Sequence, residues 1–466
     1  MRRLLWLAPA ALLLAGCTVG PNYKKPDITL PTQFRGATGA TGDTSIADTK
    51  WQDLFHDATL EKLVTTALSQ NFDLQIAAER VEQTSARLQT QRAQLFPFVN
   101  ASGQYTVARG SSIGATPGIP PGSDTSISYA QVGVGASWEL DLWGRLRRLN
   151  EAARAQFFAA RDNQLAVRMS LVADVMNTYF QLVELDSELS IAKQTRDIAQ
   201  NGLKLTTVRH NQGAATGLDV QQANQLLYTA TAQIEAAERE ITQTEDALNL
   251  ILGQAPTDVP RGATALDQIG RPAALPPGLP LTLLTRRPDI RAQEEQLIAA
   301  NAQIGAARAL YFPQISLDAF LGGQSRAIGD LLTGPARLAS FTPSITAPIF
   351  EAGQIRGQVR LSQAQEREAL LAYRQSIFTG LRDVSDALVG YDRTRSQTDQ
   401  QVLLVKALDE STRLSKLRYQ GGLDSFLQVL DSERNLFQGQ LSLERLRLLE
   451  LQSIVRLYSV LGGGWQ

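Results

Sequence analysis

Leu95-Phe96-Pro97-Phe98-Val99-Asn100-Ala101-Ser102-Gly103-Gln104-Tyr105-Thr106-Val107 is the stretch whose reading decides the fold. After Pro97 the pattern changes from a helical period to a period of two. Val99, Ala101, Gly103, Tyr105 and Val107 are apolar or small, and Asn100, Ser102, Gln104 and Thr106 between them are polar. This is a strand with one apolar and one polar face. A segment rich in Gly, Pro and Ser, 109–128, follows it. Ala130, Val132, Val134, Ala136, Trp138 and Leu140 then alternate with Gln131, Gly133, Gly135, Ser137 and Glu139. The habit returns after Tyr311-Phe312-Pro313. Ile315, Leu317, Ala319 and Leu321 oppose Gln314, Ser316 and Asp318, and Phe341, Ile345, Ala347 and Ile349 alternate with Thr342, Ser344 and Thr346. Strands of about ten residues with this two-faced pattern are the mark of a transmembrane β-barrel.

Working outward, the two strand pairs belong to two copies of one unit. Asp73, Ala86, Arg92, Ala93 and Leu95-Phe96-Pro97 correspond to Asp289, Ala302, Arg308, Ala309 and Tyr311-Phe312-Pro313, each 216 residues later. Beyond the strands the spacing is 209. Gly144 and Arg147 match Gly353 and Arg356; Arg209, Gly213, Leu218 and Val220 match Arg418, Gly422, Leu427 and Val429; Leu252-Gly253 matches Leu461-Gly462. An internal repeat fills the chain. The spacing changes between Pro97 and Gly144, which places a longer loop in the first copy, as surface insertions require. The organisation read from these marks is a first repeat over 57–253 with its β-hairpin at about 97–142, a Pro-rich linker over 254–288, and a second repeat over 289–466 with its hairpin at about 313–350.

Proline maps the helices. All 19 prolines lie outside the windows 32–96, 122–255 and 349–466. Proline is expelled from helix interiors because it lacks the N–H and clashes with the preceding turn. The windows therefore accommodate helices from Gly144 to about Asn211 and from Gly353 to about Tyr419, each roughly 100 Å long. Leu165, Met169, Val172, Val175, Met176, Tyr179, Leu182, Val183 and Leu189 recur at spacings of three and four or their sums, as do Leu451, Ile454, Val455, Tyr458 and Leu461. Gly213, Gly253, Gly421 and Gly462 stop the periodic runs, and the short segments 212–217 and 420–424 turn the chain back into further helices. Helices of such length belong to a tube or a coiled coil.

The N-terminus is an address. Met1-Arg2-Arg3 is followed by the apolar run Leu4–Leu14, too short to span a bilayer. Leu14-Ala15-Gly16-Cys17 matches a bacterial lipobox, so 1–16 reads as a signal peptide and 17–56 as an extended segment anchored by lipid on Cys17, the single cysteine of the chain. Acyl chains hold a protein to one leaflet without spanning it. With 45 Lys+Arg against 46 Asp+Glu there is no basic excess for nucleic acid. One Cys and two His, His56 and His210, leave little material for a metal site, and both His read as structural. Zincin, Cys-x-x-Cys and P-loop motifs are missing from the sequence, which points away from an enzyme. Arg145, Arg147 and Arg148 open a long helix and face either lipid headgroups or solvent. Trp138, Trp143, Phe96, Phe98, Phe312 and Phe350 cluster at the strand–helix junctions as an aromatic girdle would.

Four strands cannot close a membrane barrel, and their open edges cannot face lipid. Copies must pool their strands. Two copies give a barrel filled by side chains, whereas three give twelve strands and an open bore.

The chain resembles the TolC-like outer-membrane efflux factors, in the lipoprotein (NodT/OprM-type) branch of RND efflux systems. The resemblance rests on Cys17-Thr18-Val19-Gly20-Pro21-Asn22-Tyr23, Trp51-Gln52-Asp53-Leu54-Phe55, Trp138-Glu139-Leu140-Asp141-Leu142-Trp143-Gly144, Arg286-Arg287-Pro288-Asp289-Ile290-Arg291-Ala292, Pro348-Ile349-Phe350, Val429-Leu430-Asp431 and Leu461-Gly462-Gly463-Gly464-Trp465. It implies a mainly α chain with a transmembrane β-barrel portion. As a homotrimer it forms a 12-stranded β-barrel in the outer membrane of a Gram-negative bacterium and a 12-helix α-barrel in the periplasm. It implies a gated exit duct for drugs or other small molecules, fed by a periplasmic adaptor (membrane fusion) protein and an inner-membrane transporter of RND type. It implies N-palmitoyl and S-diacylglycerol lipid on Cys17, a gate at Leu427 and Asp431, a tip latch between Asp219 and Tyr419, with Arg418 standing in for a latch missing at Asp424, and adaptor contacts at Gly213 and Gly422. Asp431 has Gln222 as its repeat counterpart, so a trimer carries three gate carboxylates. The rival expectation is a lipid-anchored coiled-coil scaffold without a pore.

Overall fold

The structure is a computed structural model that describes residues 18–36, 45–111, 125–262, 266, 268–269 and 276–464. Cys17 and the signal segment lie outside the described residues.

Helices α1 (Ala58–Gln70) and α2 (Phe72–Ala93) lead into strands β1 (Phe98–Arg109) and β2 (Ser126–Leu140), then α3 (Arg145–Asn211) and α4 (Gly217–Leu252). The second copy runs through α5 (Pro288–Ala309), β3 (Gln314–Ser325), β4 (Arg337–Thr346), α6 (Gln354–Gln420) and α7 (Phe426–Val460). The long helices α3 and α6 have 67 residues each. Each starts one residue after a left-handed glycine, Gly144 at φ 82° and Gly353 at φ 87°. The same spacing of 209 relates left-handed Gly213 to Gly422 and Gly253 to Gly462, so the repeat is exact in the backbone at these stops.

The described residues form two compact units. Of these residues, one unit holds those within 1–26, 81–159 and 293–372, and the other those within 27–80, 160–292 and 373–466. Each takes matching segments from both repeats.

In the first unit the two expected hairpins are one antiparallel sheet in the order β1-β2-β3-β4. Its register puts Val99 opposite Ala136, Ala136 opposite Ala319, and Ala319 opposite Phe341. Partners across a ladder share a face, so the apolar residues of all four strands form one continuous surface. The polar sets share the other face, where Gln104 Nε2 donates to Gln131 at 3.2 Å and the Ser316 and Ser344 hydroxyls lie 2.6 Å apart. Pro343 lies in β4, the last strand of the chain's own sheet.

The sheet ends are tied to helices by side chains. Asp141 accepts from the N–H groups of Leu146 and Arg147, capping α3. Arg145 pairs with Glu139 at 2.6 Å, and Arg147 with Asp141 at 3.3 Å. Arg148 is buried and donates to Asn22 at 2.6 Å and to Glu151 at 2.8 Å. The arginines read as facing headgroups or solvent are thus engaged by protein partners, because acidic residues precede and follow them. The aromatic cluster divides. Phe96, Phe98 and Phe350 are exposed, but Trp143 stacks on Phe312 at 4.7 Å and donates to Pro313 O at 2.8 Å, locking the two repeats together. Trp138 donates to Leu95 O at 3.1 Å.

In the second unit the stripes predicted from periodicity are the core. Val172, Val175, Met176, Tyr179, Leu182 and Val183 are buried, as are Leu451, Ile454, Val455, Tyr458 and Leu461. Phe55 meets Phe180 edge-on at 5.0 Å. The Arg286–Ala292 motif is a clamp. Arg287 grips Asp289 with two hydrogen bonds and reaches Val460 O, Arg286 pairs with Asp48, and Arg291 with Asp162. Among the described residues no helix is long and apolar enough to cross a membrane.

Candidate functional site

The turns that end α3 and α6 have the same construction. At the first, Gly213 N donates to His210 O at 2.9 Å and Ala214 N to Arg209 O at 2.8 Å. At the second, Gly422 N donates to Tyr419 O at 3.1 Å and Leu423 N to Arg418 O at 2.9 Å. Both glycines are left-handed, the conformation that closes a helix C-terminus. A Cβ on either would meet no atom within 4 Å, so the backbone there is open to a neighbour. His210 Nδ1 lies 2.9 Å from Ala215 O, a structural role within the turn.

Beneath the turns Ala199, Ala223, Leu226, Phe426, Val429 and Leu430 form a hydrophobic cluster, with Leu203, Leu227 and Tyr419 against it. It packs α3, α4, α6 and α7 together. Leu427 and Asp431, one turn apart on α7, lie off this core; Leu427 is exposed and Asp431 is half-exposed. Asp431 pairs with Arg434 and accepts from Asn435 at 3.2 Å.

The expected latch residues take other partners in this protomer. Asp219 sits three residues into the start of α4 and closes a capping box, accepting from Thr216 N and Oγ1 at 2.8 Å each. Tyr419 receives its hydrogen bond from Arg209, whose guanidinium also covers the ring. Arg418 grips Asp424 with bonds of 2.6 and 3.0 Å inside its own turn. The physical reason is proximity. Asp219 faces free N–H groups at a helix start, and Arg209 reaches the phenol from the neighbouring hairpin. Arg209 was missed from the sequence, although its repeat partner Arg418 is the residue 209 positions on.

A sheet with one apolar and one polar face, followed by long helices with reversed tips, defines a channel-forming protein of the outer membrane. The chain belongs to the family described as "Outer membrane efflux protein", whose model matches residues 63–254 and 279–463. It is 38% identical over 464 residues to the solvent efflux pump outer membrane protein SrpC of Pseudomonas putida, covering 98% of this chain and 97% of that protein. The solved outer-membrane channel OprN is 29% identical with a TM-score of 0.90, covering 96% of this chain and 100% of that one. The open state of the Neisseria gonorrhoeae MtrE outer membrane channel is 30% identical with a TM-score of 0.87, covering 97% of this chain and 99% of that one. The protein is accordingly the outer-membrane channel component of a tripartite efflux pump, and its fold class is the trimeric β-barrel and α-barrel of these channels. The poreless scaffold has no support in this kinship.

Proposed function

We propose that the duct exports apolar small molecules and is gated at its helical tips by Leu427 and Asp431. The observation that carries the gate is the position of these two residues, side by side on α7 and outside the hydrophobic cluster that holds the tip. In a trimer they would form a leucine ring and a carboxylate ring, the second attracting cations and excluding anions. The solvent named for the P. putida relative supports an apolar cargo.

The tip latch is proposed as Tyr419 with Arg209, while Asp219 and Arg418 stiffen their own turns. The open backbone at Gly213 and Gly422 supports docking of a periplasmic adaptor there. The inner-membrane partner is proposed to be a proton-driven RND transporter. Lipid on Cys17 is supported by its neighbour. Thr18 packs against Gly144, four residues past the end of β2, and Val19 N donates to Trp143 O at 3.0 Å. The lipid proposed is N-palmitoyl and S-diacylglycerol.

The test of the gate is single-channel conductance of the purified protein in planar bilayers. Asp431→Ala should raise conductance and weaken cation selectivity. Unchanged conductance and selectivity would remove the gate from these residues.

A further inference from the structure

Three buried carboxyl groups meet two guanidinium groups where α3 of the first repeat faces α7 of the second. Glu184 and Glu188, one turn apart on α3, are 4% and 3% exposed, and Glu444 on α7 is 8% exposed. Arg445 Nε donates to Glu188 Oε1 at 2.9 Å, and Gln233 Nε2 of α4 donates to the other oxygen at 3.1 Å. Arg447 donates to Glu444 at 2.6 Å. Both cations are therefore engaged by Glu188 and Glu444. Glu184 lies against the Glu188 side chain one turn on, and its Oε1 has no hydrogen-bond partner. Two ionised carboxylates in contact and out of water repel each other, and a buried charge without its own cation is costly. A retained proton removes both costs and supplies the O–H donor that the contact needs.

We propose that Glu184 keeps its proton and donates it to Glu188, so that Glu184, Glu188 and Arg445 form a proton-held clasp between the two repeats. The charged groups around Glu184 are Glu188 on its own helix and Glu444 and Arg445 on α7, while the uncharged Gln233 on α4 bonds Glu188. Burial, then the charge and hydrogen bond of Glu188, push the Glu184 carboxyl from 4.5 up to about 8, against the pull of Arg445 and with a further push from Glu444. The folded protein therefore binds more protons than the unfolded chain between these values. The clasp's contribution is complete below the unfolded value of 4.5 and is lost as pH rises through about 8. The clasp is independent of the gate at Leu427 and Asp431.

The test uses the mature full-length protein in detergent, followed by infrared difference spectroscopy and thermal unfolding between about pH 5 and pH 9, a window that brackets the raised carboxyl. A protonated-carboxyl C=O band should be present at low pH, titrate away with a midpoint above neutrality, and be missing from Glu184→Gln. The same variant should flatten the fall of Tm with pH. Arg445→Ala removes the opposing cation and should move the band's midpoint up by about 1 unit. A band that survives in Glu184→Gln overturns the proposal, whatever the stability profile. So does wild-type protein without the band, or a midpoint that stays or falls in Arg445→Ala.

Discussion

Arg209 near the end of α3 and Tyr419 near the end of α6 join the two repeats at their tips. The guanidinium donates to the phenol oxygen and lies over the ring, with Cζ 4.8 Å from its centroid. The repeat partners of this pair, Arg418 and His210, do not copy the contact. Arg418 turns to Asp424, whose counterpart in the first repeat is the uncharged Ala215, and His210 closes on Ala215 O. The symmetry of the repeat is broken at the tip, and only one Arg is left to bridge the hairpins.

Tyr419→Phe keeps the ring under Arg209 and removes the acceptor, whereas Arg209→Ala removes both interactions. A cation over a ring and a charge-assisted hydrogen bond are together worth about 1–3 kcal/mol at a partly exposed site. Both variants should raise single-channel conductance, Arg209→Ala more than Tyr419→Phe. Equal, wild-type conductance in both would show that the bridge does not restrain the tip.

Asp57 serves two elements at once. It caps α1 through the N–H groups of Thr59 and Leu60, and its other oxygen accepts from the Tyr179 phenol at 2.8 Å; the phenol Oη accepts in turn from Gly262 N at 3.1 Å. Asp57→Ala loses a cap and leaves a buried hydroxyl without its acceptor, about 2–4 kcal/mol together. Tyr179→Phe leaves Asp57 Oδ2 and Gly262 N without the phenol but keeps the cap on α1, and should cost less, about 1–2 kcal/mol. Denaturant unfolding of both variants checks the order, and Tyr179→Phe proving the more damaging would contradict it.

The segment after Cys17 is held by backbone-to-backbone contact. A Cβ on Gly305 would stand 2.7 Å from Val19 O and 2.9 Å from the Arg148 side chain. Gly305→Val should displace the segment from α5, together with the Tyr23 and Lys25 bonds to Glu294 at 3.1 and 2.7 Å. Limited proteolysis should then cut within 18–26 faster than in the wild type, and equal cutting rates would contradict the close fit.

On the polar face of the sheet the Phe320 ring covers Gly133 and Gly322. A Cβ on Gly322 would lie 2.2 Å from Val132 O and 2.9 Å from the ring. Gly322→Val should push β2 and β3 apart and lower the yield of heat-resistant assembled protein. Phe320→Ala, which adds no bulk, should assemble as the wild type does. Gel mobility of unheated samples distinguishes the two.

The sequence by itself determined the elements. Period two after Pro97, proline-free windows and glycine stops are local consequences of backbone sterics, and they placed α3 and α6 to within a residue. The repeat offsets of 216 and 209 carried this to the matching of β1 with β3 and of α4 with α7. Leu427 and Asp431 were legible as one face of one helix, because a single turn relates them. Tertiary structure alone decided how the copies meet. The β2–β3 ladder that merges two hairpins into one sheet, the choice of Arg209 by Tyr419, and the Glu188–Arg445 ion pair all join residues far apart in the chain. Hydrogen-bond partners are selected by distance and burial in the folded molecule. An Arg or Glu on a polar-looking helix face carries no local signal of the partner that folding will bring beside it.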